Sequence, residues 1–166
     1  MVLDLLELSR LDAGAGEMRM EEVDITDAVK RIASRYGFTD LPIRSNSFEL
    51  VVSTDPQRLE RIVSNLLINA RDHAGGPTSI EILKHSDLYE IRIADSGPGV
   101  ATGERERIFE RFARGSASRN RIGTGLGLAL VAEHSRFLGG RAFVESGESG
   151  GATFIVQLPV DLQVRT

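Results

Sequence analysis

Residues 55–74 read DPQRLERIVSNLLINARDHA, and the fold turns on what this run becomes. Asp55 suits a helix N-cap, and Pro56 suits the first helical position, where a missing N–H costs nothing. Apolar residues then recur at Leu59, Ile62, Val63, Leu66, Leu67 and Ala70, the spacing of a helical stripe buried on one side. Gly75-Gly76-Pro77 stops the run. Asn65 and Asn69 stand one turn apart at the edge of the stripe. Such amides either face water, as polar side chains usually do, or turn their carbonyls to a ligand or a hard cation.

The remainder of the chain supplies partners for this helix. With 166 residues and 41% hydrophobic composition, it is long enough for one domain with a substantial core. A net charge of −4 argues against a large nucleic-acid footprint. There is no cysteine, which removes disulfides and thiolate metal sites. No apolar run is long enough to cross a membrane.

Residues 1–12 alternate leucine with charge at helical spacing. A helix this short does not hold itself together in water. It is therefore docked on the domain or is the end of a longer helix, and the AGAGE run at 13–17 is a joint. An edge strand is expected over 22–25, then a helix from a Thr26 cap to about Arg35, ended by Gly37. Residues 42–47 and 49–53 read as a hairpin. Residues 78–83 and 88–94 alternate apolar and polar side chains, as half-buried strands do. A helix opening at 123–127 and carried by Leu128, Leu130, Val131, Phe137 and Leu138 ends at Gly139-Gly140. Strands at 141–145 and 153–158 follow, joined by a Gly-rich turn. Helices and antiparallel strands without regular βαβ alternation make an α+β sandwich, with helices on one face of a mixed sheet.

Two glycine clusters reverse the odds for the Asn pair. Asp95-Ser-Gly97-Pro-Gly99 follows a strand. Its glycines admit a flat ligand close to the backbone, and an Asp there accepts from an exocyclic amine. Gly123-Thr-Gly125-Leu-Gly127-Leu precedes a helix whose N–H groups and dipole suit phosphate. It is neither a dinucleotide fingerprint, since Leu128 stands where the third Gly belongs, nor a Walker A loop. Between them, residues 102–112 read as a short helix, and 113–122 as a polar segment in a lid. Arginines at 105, 107, 111, 114, 119 and 121 make either a solvated face or a source of cations for polyphosphate. His73, His85 and His134 are too scattered in sequence to form a metal cluster.

In this order the motifs resemble the catalytic ATP-binding domain of sensor histidine kinases of two-component systems. That domain belongs to the superfamily shared with DNA gyrase B, Hsp90 and MutL. Residues 65–74 resemble the N box, 95–99 the G1 box, 108–114 the F box, 123–128 the G2 box, and 150–154 the glycine-rich last turn. The resemblance implies the two-layer Bergerat α/β sandwich. It implies a division into the end of a dimerisation helix with its joint (1–16), the catalytic domain (17–160) and a tail (161–166).

Carried over by position, Asn69 is the Mg²⁺ ligand that bridges to the phosphates of ATP, with Asn65 beside it. Arg114 approaches the terminal phosphate, and Asn65 and Arg114 are the expected catalytic residues. Asp95 receives the adenine amine, with Gly97 and Gly99 shaping the pocket and Thr153 close by. Gly123, Gly125, Leu126, Gly127 and Leu128 hold the phosphates, and His73 falls within the nucleotide-binding N box. The implied partners are a dimerisation and phosphoacceptor domain and a response regulator, with no nucleic acid. The implied parent is a membrane-anchored homodimer with this domain in the cytoplasm, whereas the chain alone is expected to be monomeric.

Two departures from the family stand out. The family often has Lys or Arg three residues after the metal-ligand Asn, where this chain has Asp72. Asp72 is expected to point away or to pair with Arg71 or a lid arginine, and Asp72→Lys to tighten ATP binding. The phosphoacceptor motif, His followed by Glu or Asp, is absent from these residues, so the chain is expected to bind Mg·ATP without phosphorylating itself. Two rivals remain. A gyrase-type ATPase would need a Glu base where Asn65 stands. The other is a nucleotide-sensing or interaction module without catalysis.

Overall fold

The computed structural model describes residues 2–14, 16–113 and 125–161. Its elements are α1 (Val2–Asp12), β1 (Glu21–Asp24), α2 (Ile25–Arg35), β2 (Ile43–Ser45), β3 (Val51–Thr54) and α3 (Pro56–Ala74), then β4 (Pro77–Lys84), β5 (Leu88–Asp95), two 3-10 turns (Thr102–Glu104 and Arg107–Phe109), α4 (Gly127–Phe137), β6 (Arg141–Ser146) and β7 (Ala152–Pro159).

The long helix forms as its sequence dictates. The Asp55 carboxylate accepts from the N–H groups of Gln57 and Arg58, Pro56 opens the first turn, and Gly75 closes the last at φ 76°. Its apolar stripe is buried from Leu59 to Ala70. That stripe packs on a five-stranded sheet of order β2-β4-β5-β7-β6. β2 runs parallel to β4, and the other neighbours are antiparallel.

Strand alternation puts one apolar row on the helix side. Ile80 and Ile82 of β4 face Ile93 and Ile91 of β5, which face Phe154 and Val156 of β7. All six are buried, and truncating one such side chain to alanine costs about 2–5 kcal/mol. The other face carries a polar lattice. Arg92 bridges Glu90 and Glu145 at 3.0 and 3.3 Å, and Gln157 donates to Glu90 at 2.7 Å. The fold is thus the expected α/β sandwich, with helices on one face of a mixed sheet.

Three local expectations are corrected. Residues 42–53 do not form a hairpin: β2 pairs with β4, and β3 pairs with β1 in a separate two-stranded sheet. The Asn46 side chain explains the split. It accepts from the Lys84 N–H at 2.7 Å and donates to the Lys84 carbonyl at 3.2 Å, prolonging the β2–β4 ladder. The cap of α2 is Asp24, not Thr26, because the Asp24 carboxylate reaches the Asp27 N–H at 3.0 Å. Residues 102–112 form two 3-10 turns instead of a helix. α4 begins at Gly127, within the expected 123–127 opening; Gly123 lies outside the described residues.

α1 is docked. Leu8 and Leu11 join Leu126, Ala129 and Leu130 in a second apolar cluster. Polar contacts reinforce it. Glu7 accepts from Arg61 and lies 2.8 Å from His134 Nε2. His134 Nδ1 is 3.4 Å from an Arg58 N–H donor. Arginine only donates, so Nδ1 accepts and Nε2 carries the proton given to Glu7. Burial alone would raise the Glu7 carboxyl, but the hydrogen bonds from His134 and Arg61 outweigh it and hold the group down at about 2.

Candidate functional site

β5 ends in Asp95, which continues the buried row of Tyr89, Ile91 and Ile93 on the helix side. Asp95 Oδ1 accepts from the N–H groups of Gly97, at 3.0 Å, and Ala152, at 3.2 Å. The loop after Asp95 presses against the end of α3. A Cβ on Gly97 would lie 2.5 Å from the Ala74 Cβ, so no other residue fits without displacing the helix. Gly99 lies against the Gly151 carbonyl at the turn into β7. Asp95, the two loops and the last turn of α3 therefore form one wall of a flat recess.

The other end lies a few turns back along α3. Asn65 Nδ2 donates to the Arg61 carbonyl at 2.7 Å. That bond turns Oδ1 toward Gly127, where an added Cβ would stand 3.3 Å away. The N-terminus of α4 thus faces the first Asn, while Ala74 faces Gly97. Nine residues at 1.5 Å each separate these marks by roughly 13 Å. Asn69 lies between them, half-buried, and its amide makes no hydrogen bond among the described residues. His73 sits in the last turn of α3, also half-buried. Leu126 is buried against α1, and Leu128 packs on the main core, so both shape the start of α4 from behind.

The segment before α4 is held from below. Gly125, at φ 68°, accepts from the Phe112 N–H at 2.9 Å, and a Cβ on Gly125 would meet the Phe112 backbone at 2.8 Å. Phe112 itself adopts φ 59°, unusual for an aromatic residue, with its side chain exposed. Arg111 pairs with both Asp12 oxygens at 2.5 Å, tying this segment to α1. Arg114 and Gly123, both expected at the phosphates, lie outside the described residues.

Thr153 does not join the recess. In β7 it shares a row with Ile155 and Gln157, opposite Phe154 and Val156, so alternation sends it to the polar face. Ala152, one residue earlier, lies on the Asp95 side and supplies a backbone N–H to it. Anchoring the alternation on the core row that Phe154 begins would have found Ala152 from sequence. Asp72 pairs with Arg71, whose Nε donates to Oδ1 at 3.0 Å.

The strip along α3 between these marks, called the trough below, thus offers a buried carboxylate at one end, an amide carbonyl in the middle and the N-terminus of α4 at the other. A hard oxygen donor such as the Asn69 carbonyl suits Mg²⁺, which takes few protein ligands and shares the rest with phosphates and water. Among the described residues no group of three His, Cys, Asp or Glu is arranged to hold a metal alone. No helix among them is long and apolar enough to cross a membrane.

The chain is similar to known proteins in sequence and in fold. Residues 54–162 match the family described as histidine kinase-, DNA gyrase B-, and HSP90-like ATPase. The signal transduction histidine-protein kinase AfsQ2 of Streptomyces coelicolor is 33% identical over 162 residues, covering 97% of this chain but 30% of that protein. The chain therefore spans under a third of the length of such relatives. The crystal structure of the ATP-binding domain of PrrB from Mycobacterium tuberculosis is 34% identical with a TM-score of 0.66, covering 85% of this chain and 97% of that one. Full-length ShkA, in complex with AMPPNP, is 28% identical with a TM-score of 0.76, covering 98% of this chain and 35% of that one.

Proposed function

Because this chain belongs to the histidine kinase-, DNA gyrase B-, and HSP90-like ATPase family, as the ATP-binding catalytic domain of a sensor histidine kinase, we propose that it lays ATP along α3 and presents the γ-phosphoryl group to a histidine on a helical dimerisation domain of its parent protein. The observation that carries this reading is Asp95. It is buried, and one oxygen is saturated by two backbone N–H groups. The second oxygen is left to accept from the adenine amine.

Gly97 and Gly99 let the base lie against backbone, and Ala152 takes the place expected for Thr153. Asn69 would hold Mg²⁺, which would supply charge neutralisation to the phosphates. Asn65 fixes the approach of Gly127, so the N–H groups at the start of α4 receive phosphate oxygens. Arg114 and Gly123 complete that end, and His73 borders the ribose side. The acceptor imidazole attacks Pγ in line. The bond from Pγ to the β,γ-bridging oxygen breaks, ADP leaves with that electron pair, and the imidazole proton passes to a base on the helical domain. The domain's part is positioning and charge stabilisation.

The parent is read as a membrane-anchored homodimer that passes the phosphoryl group to a response regulator, with this domain in the cytoplasm. The Asn65 side-chain N–H donates to the Arg61 carbonyl, and the amide offers no base for water, which disfavours a gyrase-type ATPase. A nucleotide-sensing module without catalysis has Asp72 in its favour.

Mixing the chain with a separately made helical hairpin bearing the acceptor histidine and γ-labelled ATP tests the choice. Acid-labile label on the hairpin, and none on the chain, is the expected outcome. Bound nucleotide without label transfer would favour the sensing module.

A further inference from the structure

Asp72 carries a meaning of its own. At 100° per residue it falls within about 20° of Asn65 and about 60° of Asn69 around α3, on the strip that faces the trough. It also stands in the last turn and a half of the helix, where the macrodipole disfavours a carboxylate. It pairs with Arg71, 3.0 Å away, with the Asp72 and Arg71 side chains 36% and 55% exposed. A neutralising pair that wet removes only part of the charge. The strip thus keeps residual negative potential between the recess at Asp95 and the N-terminus of α4, with Asp72 about 3 Å along the axis from Ala74 and one turn from Asn69.

We infer that Asp72 makes nucleotide binding conditional on the divalent cation: it repels metal-free polyphosphate and tolerates the magnesium complex. This rests on the nucleotide reading of the trough. Metal-free ATP carries about four negative charges and its magnesium complex about two, so the carboxylate acts unequally on the two forms. The same charge sits near the Asn69 carbonyl and favours a cation held there. Arg71 moderates the effect. Asp72 is a specificity-determining residue that discriminates between two forms of one nucleotide, and Arg71 sets how strictly.

The test is calorimetric titration of the whole chain with ATP, in Mg²⁺ and in EDTA, for the parent, Asp72→Asn, Asp72→Lys and Arg71→Ala. The readout is the ratio of the two affinities. Asp72→Asn lowers this ratio on the order of tenfold, chiefly through better binding in EDTA. Asp72→Lys lowers it further and also tightens Mg·ATP binding. Arg71→Ala raises it. All three differences shrink in high salt, as charge effects do and local misfolding does not. A ratio in Asp72→Asn within about twofold of the parent's, with Mg·ATP still bound, overturns this inference alone. A parent chain that binds neither form overturns the nucleotide reading and this inference with it.

Discussion

The two ends of the trough are built by different means. At the Asp95 end the shape is set by backbone: two N–H groups on one carboxylate oxygen, a glycine pressed on Ala74, and a carbonyl against Gly99. At the α4 end one backbone bond, from the Phe112 N–H to the Gly125 carbonyl, is joined by side-chain contacts and an ion pair. Asn65 faces Gly127, Arg111 holds Asp12, and Leu126 rests on Leu8 and Leu11 of α1. Backbone-built walls suit the base of fixed shape proposed above. Walls built from side chains can be remade when the neighbouring helix moves, which suits the end proposed for phosphoryl release. α1 leans on the start of α4 and so touches this second end.

The sharpest way to break this contrast is at Gly97. Gly97→Val should abolish nucleotide binding and destabilise the domain by about 1–3 kcal/mol, since overpacking against Ala74 has no flexible side chain to yield. Thermal unfolding and a fluorescent-nucleotide titration together check it. Unchanged binding would mean that the base end is not the rigid one.

A smaller effect is expected from pH, and only at the other end. Glu7 is held at about 2 when α1 is docked, against an ordinary value of 4.5. Its contribution is therefore complete above about pH 4.5 and is lost as pH falls toward 2. Allowing for partial exposure, it is worth about 1–2 kcal/mol of docking. Amide exchange should show α1 loosening across that window before the sheet does, and Glu7→Gln should remove the pH dependence. Loosening of both together would contradict the separation of the two ends.

The smallest effect belongs to Arg111→Ala. Its pair with Asp12 is exposed, so the melting temperature should not move measurably. The Phe112–Gly125 hydrogen bond should survive, seen as unchanged exchange protection of the Phe112 amide. Loss of that protection would show that the ion pair, not the glycine, holds the segment.

Much of this was legible in the chain because local chemistry and tertiary structure agree. Asp55-Pro56 and Gly75 bracket α3 in sequence as they do in space, and its stripe meets the sheet as its spacing requires. The failures share a cause, which is competition from a non-local partner. β2 left its apparent hairpin for β4 because the Asn46 amide binds Lys84. Asp24 took the cap from Thr26, since β1 delivers it directly to the start of α2. Thr153 is a different case: its motif pointed to the site, while the alternation from Phe154 already sends it to the other face. The link from α1 to the last turn of α4 was not readable at all, because Glu7 and His134 are 127 residues apart.

The most direct test of the trough is Asn69→Ala. Asn69 touches no other side chain through a hydrogen bond among the described residues, so its loss should leave the fold intact. Calorimetric titration with ATP in Mg²⁺ should then show affinity weakened by at least about tenfold, the loss of one good ligand contact. A variant that folds and binds Mg·ATP as tightly as the parent would contradict the account at its centre.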